Sequence, residues 1–168
     1  MKTKAAVMWN ETGPFEISDL TVDPPGPEEV LVRFDYAGLC HTDEHMRNGD
    51  IGFNPPMVGG HEGSGVVEEV GPGVTHIQPG DHFVTSWMPY CGRCRFCLTG
   101  QTNLCDNGQY LMSGTMLDGT QRLHGRGQKL GSVDLLGTFS QRNVIPASCV
   151  VVIEKHVPLD TIAIAACG

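Results

Sequence analysis

No stretch of this chain is apolar over the roughly 18 residues that a membrane span needs. The N-terminal MKTKAAVMWNETG has no apolar core of useful length, so no signal peptide is expected and a cytoplasmic protein is. Basic residues are scarce, with 11 Lys and Arg against 19 Asp and Glu and a formal net charge of −8. No run of Lys or Arg appears. The expectation is therefore no nucleic-acid partner and no membrane partner. What remains is a globular chain of 168 residues, 40% hydrophobic, for which one domain is the natural prior. A chain of that size buries about 70% of its unfolded surface. Its 22 glycines and 11 prolines favour turns and short strands over long helices.

The first forty residues read as strands. KAAVMW, FEISDLTV and EEVLVRFDYAG place β-branched or aromatic residues at near-alternating positions, with the proline-rich turn DPPGPEE before the third. HTDEHMR, residues 41–47, reads as a short helix with Thr42 or Asp43 as N-cap and Gly49 as stop. FNPPMVGGHEG is a loop, GSGVVEEVG a strand, GPGVTHIQPGD a turn-rich connection and HFVTSWM another strand. Residues 106–137 are glycine-rich with weak patterning and read as a long excursion of little regular structure. TFSQRNVIP and SCVVVIE are two further strands, and LDTIAIAACG begins an apolar helix. The whole is a mainly β chain.

Cys91, Cys94, Cys97 and Cys105 form C-x2-C-x2-C-x7-C. Four thiolates in one loop complete a tetrahedral shell for zinc and leave no place for water, so such a site holds structure and does no chemistry. Arg93 and Arg95 lie between the thiolates and offset their charge. Rubredoxin-like iron and a redox-active pair are the rivals. Disulfides are a third, although an odd count of seven cysteines leaves one unpaired.

GHEGSGVVEEVGPGV, residues 60–74, puts His61 and Glu62 among glycines at 63, 65, 71 and 73, which let backbones approach closely. Cys40 lies in GLCHTDEH and Cys167 in AACG. No spacing rule joins 40, 61 and 167, and each cysteine taken alone reads as a small buried hydrophobe. Cys149 sits in an apolar strand and reads as core; His76, His82, His124 and His156 have no motif support.

Taken together, these segments resemble the zinc-dependent medium-chain alcohol dehydrogenases. GHEGSGVVEEVGPGV resembles that family's zinc signature, GLCHTDEH its first-ligand loop and the cysteine run its structural zinc loop, while TMLDGTQRL and GTFSQ are similar to its liver-type long branch. The resemblance covers the whole chain. It implies a GroES-like, partly open β-barrel over residues 1–168, with a zinc lobe at about 88–110 and short helices. It also implies two zinc ions per chain. The catalytic one would be held by Cys40, His61 and Cys167, a Cys2His set that leaves a position for substrate. The structural one would be held by Cys91, Cys94, Cys97 and Cys105.

On the same resemblance Glu62 sits beside the catalytic metal and Asp43 orients the histidine ligand from behind. Thr42 is the first hydroxyl of a proton relay and His45 its outlet, since a histidine can pass a proton to solvent near neutral pH. His41 stands where the family puts a cation for the cofactor pyrophosphate. Trp87, Tyr110 and Phe139 fall near the substrate cleft. The implied reaction oxidises an alcohol to an aldehyde or ketone by hydride transfer to NAD(P). Gln109 stands where the branch acting on a thiol-formaldehyde adduct usually has an arginine, which weighs weakly against that alternative.

No G-x-G-x-x-G follows a strand, so a Rossmann domain is absent and the NAD(P)-binding domain is expected beyond residue 168. A chain without it is expected to be inactive by itself, and Cys167, second from the end, is expected to hold its metal weakly. The partner implied is a small alcohol or aldehyde, with the full-length protein a homodimer or homotetramer. A non-catalytic zinc module of the same fold is the rival reading. It would need the four-cysteine lobe but not Cys40, His61, Thr42 and Asp43 together.

Overall fold

The computed structural model describes residues 1–168. The three expected N-terminal strands form: β1 (Lys2–Met8), β2 (Glu16–Val22) and β3 (Glu29–Ala37). In β1 the period of two is plain, with Thr3, Ala5 and Val7 buried and Lys2 and Lys4 exposed. Further along the chain come β4 (Met57–Val58), β5 (Gly63–Val70), β6 (His82–Thr85), β7 (Leu123–Gly125), β8 (Gln128–Ser132), β9 (Arg142–Pro146) and β10 (Val150–Ile153). Five strands in the order β1-β2-β7-β8-β4 close into a barrel, and the other five form a sheet ordered β10-β6-β5-β3-β9. All pairs are antiparallel except β4 with β8.

β3 divides two cores. Val30, Val32 and Phe34 pack with Val67, Phe83 and Ile145, whereas Leu31 packs with Val7, Leu20, Leu123 and Leu130 in the barrel. Successive side chains point to opposite faces, and both faces are covered, so EVLVRF needs an apolar run rather than alternation. β9 does the same with Val144 and Ile145. Arg122, just before β7, donates to both Glu29 carboxylate oxygens at 2.7 and 2.8 Å, and Glu29 accepts from Gly26 N–H. That buried pair ties the proline-rich turn to the segment leading into β7.

Several expectations need correction. The glycine-rich excursion contains a β-hairpin: β7 and β8 pair with Gly125 opposite Gln128. Only two residues turn the chain, Arg126 (φ 49°) and Gly127 (φ 77°). Both lie in the left-handed region, as a type I′ turn requires. Arg126 is a poor residue for that backbone, but its guanidinium sits 3.9 Å over the Trp9 ring and 2.6 Å from Glu16. Arg126→Ala keeps the unfavourable φ and loses the cation–π contact, so it is expected to cost about 1 kcal/mol. That is roughly 2–4 °C in Tm by thermal melting; an unchanged Tm would show that the contact carries nothing.

The strands expected at HFVTSWM and TFSQRNVIP shorten to β6 and β9. Ser140 keeps only an isolated bridge to Ala5. The expected C-terminal helix is a single turn, α3 (Leu159–Ile162), followed by a 3-10 turn at Ala163–Ala166. Earlier, α1 (His41–Asn48) runs one residue beyond the expected 41–47 and ends at Gly49 (φ 85°), whose N–H bonds the His45 and Met46 carbonyls. Its N-cap is Cys40 rather than Thr42 or Asp43. Asp43 serves the cap from three residues on, because its carboxylate accepts the Cys40 N–H at 3.1 Å. No helix is long and apolar enough to cross a membrane.

Candidate metal centres and active site

Cys91, Cys94, Cys97 and Cys105 converge, with all four sulfurs within 4.8 Å of one another. A one-turn helix, α2 (Arg95–Leu98), and 3-10 turns at Thr102–Leu104 and Asp106–Tyr110 carry them. Backbone N–H groups point at the sulfurs: Cys91 to Cys105 at 3.2 Å, Cys94 to Cys91 at 3.3 Å, Cys97 to Cys94 at 3.5 Å and Asn107 to Cys105 at 3.4 Å. Such donors favour thiolates. The Asp106 and Cys97 backbone N–H groups bring Cys94 down to about 6, while burial pushes Cys105 up to about 12. Cys91–Cys97 and Cys94–Cys105 are separated by 4.0 and 3.9 Å. Tetrahedral zinc with bonds of about 2.3 Å asks for sulfurs about 3.8 Å apart, so the residues fit the metal. All seven cysteines are free thiols.

A second cluster joins what no spacing rule could join. The ligand atoms of Cys40, His61, Glu62 and Cys167 lie within 4.8 Å of one another. Cys40 comes from the N-terminus of α1, His61 and Glu62 from the two residues before β5, and Cys167 from the residue after the last 3-10 turn. Cys40 Sγ and Cys167 Sγ are 3.9 Å apart, the separation a shared tetrahedral metal would need. The Thr42 backbone N–H, at the helix N-terminus, holds the Cys40 thiol below its usual range.

Local packing explains why these residues meet. Ser64 is fully buried and its hydroxyl donates to the Leu159 carbonyl at 2.6 Å, anchoring the segment that delivers Cys167 to the start of β5. Thr85 is buried too; its hydroxyl donates to the His61 carbonyl at 3.1 Å and accepts the Gly63 N–H at 3.0 Å. Neither residue stands out in the sequence, and a lone hydroxyl in a strand offers no signal. A Cβ on Gly38 would lie 1.9 Å from Glu62 Oε2, so a side chain there would push the Glu62 carboxylate out of the position it takes in the cluster.

Asp43 is 4% exposed. Its oxygens accept the Cys40 N–H at 3.1 Å and the Gly60 N–H at 3.2 Å. His61 Nδ1 lies 3.8 Å from Asp43 Oδ1 and has no hydrogen-bond partner. The expected Asp43–His61 relation is therefore one of charge rather than of a formed hydrogen bond. Burial raises the Asp43 carboxyl and His61 draws it back down.

The other expected residues distribute as follows. Thr42 Oγ1 is 3.6 Å from Cys40 Sγ. His45 is half exposed, with Nδ1 3.1 Å from Asp50 Oδ2, and its ring lies 4.7 Å from that of His41. Trp87 is 38% exposed just beyond β6. Tyr110 ends the 3-10 turn of the lobe and is half-buried, with Gln109 beside it in the same turn. Phe139 meets the ring of Phe15 edge-on at 5.6 Å, fits the space left by the missing side chains of Gly59 and Gly60, and lines a groove with Phe34 and Tyr36. Cys149 is fully buried in the core, as expected.

A GroES-like β domain with one four-thiolate lobe and one Cys–His–Glu–Cys cluster defines the class: a domain built around two sites of metal-ligand composition. The chain belongs to the alcohol dehydrogenase GroES-like domain family, whose model matches residues 26–155. It is 49% identical over its whole length to putative alcohol dehydrogenase D of Mycobacterium tuberculosis (strain ATCC 25618 / H37Rv), of which it covers 46%. It is also 49% identical to the NDMA-dependent alcohol dehydrogenase of Amycolatopsis methanolica, covering 45% of that protein. The solved alcohol dehydrogenase zinc-binding domain protein of Burkholderia ambifaria superposes with a TM-score of 0.94 at 32% identity, over 100% of this chain and 46% of that one. The chain thus spans about half the length of the relatives it matches.

Proposed function

We propose that this chain is the zinc-binding catalytic part of an NAD(P)-dependent alcohol dehydrogenase that oxidises a small alcohol. The observation that carries the reading is the convergence of Cys40, His61 and Cys167 from three remote segments onto one point. The lobe alone would serve a scaffold, and a scaffold has no use for this second cluster. When bound there, zinc supplies Lewis acidity that lowers the pKa of the alcohol, and a nicotinamide takes the hydride.

The chain's own residues do the rest. Cys40, His61 (through Nε2, since Nδ1 faces Asp43) and Cys167 would hold the metal, a three-residue set that would leave it free to take the alcohol. Glu62, whose carboxylate lies within 4.8 Å of the other three ligand atoms, would be a further ligand when no substrate is bound. Thr42 takes the substrate hydroxyl proton, and His45, half exposed beside Asp50, passes it to water. Trp87 and Tyr110 border the alcohol, and His41 meets the cofactor phosphates. Hydride transfer needs the nicotinamide held against the reacting carbon, and positioning of that kind supplies much of the rate. Full-length chains pair as dimers or tetramers in this reading.

Elemental analysis of zinc in the purified reduced chain tests the reading. Two zinc ions per chain, falling to one in Cys40→Ala, is the expected result. One zinc in both proteins would leave only the lobe and remove the basis for a catalytic centre.

A further inference from the structure

Two histidines stand on one face of α1, and neither belongs to the four-thiolate lobe or to the three-ligand centre of Cys40, His61 and Cys167. His41 opens the helix and His45 follows four residues on, a spacing that sets side chains one above the other. No other two histidines of the chain are four apart. Their ring centres are 4.7 Å apart and the ring planes are inclined at 46°. Two imidazoles that share one metal through bonds of about 2.0–2.1 Å, at an angle of about 90–110°, have ring centres about 4.5–5.3 Å apart. The observed separation falls inside that range with no movement of the helix.

The chain just beyond the helix supplies the second half of the arrangement. Gly49 takes the left-handed conformation and reverses the chain, so that the Asp50 N–H bonds the His45 carbonyl at 2.8 Å. That turn brings Asp50 Oδ2 to 3.1 Å from His45 Nδ1. An ionised carboxylate only accepts, so the proton of neutral His45 lies on Nδ1 and the lone pair on Nε2 is left for a ligand bond. Metal-binding histidines are usually backed in this way, by an outer carboxylate that fixes the ring and raises its basicity. The His45 and Asp50 side chains are 45% and 60% exposed, and His41 is exposed as well, so a hydrated cation can reach them. Neither histidine is needed to hold the helix, which is capped by Cys40, Asp43 and Gly49 and packs through Met46.

We propose that His41 and His45 form a third metal site of the chain, a solvent-facing two-histidine chelate for a divalent transition metal, with Asp50 as its outer carboxylate. Imidazole nitrogens suit zinc, nickel or copper, whereas magnesium and calcium take oxygen. Water completes the shell, so the metal exchanges with solvent, unlike one enclosed by four thiolates. On the functional reading above, occupation would engage both the residue assigned to proton exit and the one assigned to the cofactor phosphates. The site itself depends only on α1 and Asp50, and it stands or falls apart from that reading.

Calorimetric titration of nickel ion into the zinc-loaded chain tests the proposal, with zinc content measured before and after to show that nickel displaces none. The wild type is expected to bind nickel and to show no uptake of magnesium. His41→Ala and His45→Ala are each expected to bind one nickel fewer per chain, and Asp50→Asn to bind that nickel about 10–100-fold more weakly. All three positions are at the surface, and melting curves close to that of the wild type check that the variants fold. His156→Ala, an exposed histidine between β10 and α3, is the control and keeps the full uptake. Nickel uptake that is the same in the wild type and in either single-histidine variant would overturn the proposal. Zinc confined to the lobe, with one nickel still bound through His41 and His45, would sink the functional reading and leave this site standing.

Discussion

Cys97→Ser is expected to unfold the lobe while the barrel stays folded. The lobe has almost nothing else to hold it. Its regular structure is the single turn α2 and two 3-10 turns. Of its apolar side chains, Leu98 is 73% and Leu104 51% exposed, and among its cysteines only Cys105 is buried. No hydrophobic core cluster draws a member from α2 or either turn. Structural zinc contributes on the order of 10 kcal/mol to folding, which here is nearly the whole of what orders the segment. A serine at position 97 removes one of the four thiolates, while the N–H groups keep their acceptors on Cys91, Cys94 and Cys105, so any loss of order is that of the metal alone. Limited proteolysis reads the result: rapid cleavage inside residues 88–110 in the variant, slow cleavage in the wild type, and the same contrast on chelator treatment of the wild type. A lobe that stays resistant without its metal would mean that zinc does not hold it.

The same contrast shows what could be read from the sequence. The lobe was legible because its ligands are local, so spacing encodes geometry directly. β1, β2 and α1 were legible because each buries one face, and period is then visible in the residue types. The Cys40–His61–Cys167 centre was not legible from spacing at all; resemblance joined what the chain brings together only after folding, through Ser64, Thr85 and the cap at Cys40. The β7–β8 hairpin escaped because its strands contribute only Leu123 and Leu130 to the core, and its turn uses Arg126 where Asn or Gly would have been the signal.

The glycines of residues 60–74 look like features of metal chemistry, yet most of them answer to packing. A Cβ on Gly65 would lie 1.9 Å from the Arg33 carbonyl oxygen, and one on Gly71 would lie 1.9 Å from that of Gly26. Those are backbone atoms, so no side chain can swing aside. β3 and β5 run together here with a register irregularity between Phe34 and Tyr36, and Gly65 faces Phe34 at that point. Gly65→Ala must therefore spread the two central strands of the sheet. The expected cost is about 3 kcal/mol, the upper end for overpacking, or roughly 6–12 °C in Tm for a chain of this size. Because β5 begins one residue after Glu62, the strain passes straight into His61, and the chain should also retain less zinc at the three-ligand centre than at the lobe. Gly52→Ala is the control: its Cβ meets nothing within 4 Å, and its φ lies outside the left-handed range. Equal Tm values for the two variants would show that the close approach at Gly65 is not what requires a glycine there. A large drop confined to Gly65→Ala, with zinc lost from the three-ligand centre first, would tie the glycines to the metal site through the sheet that carries it.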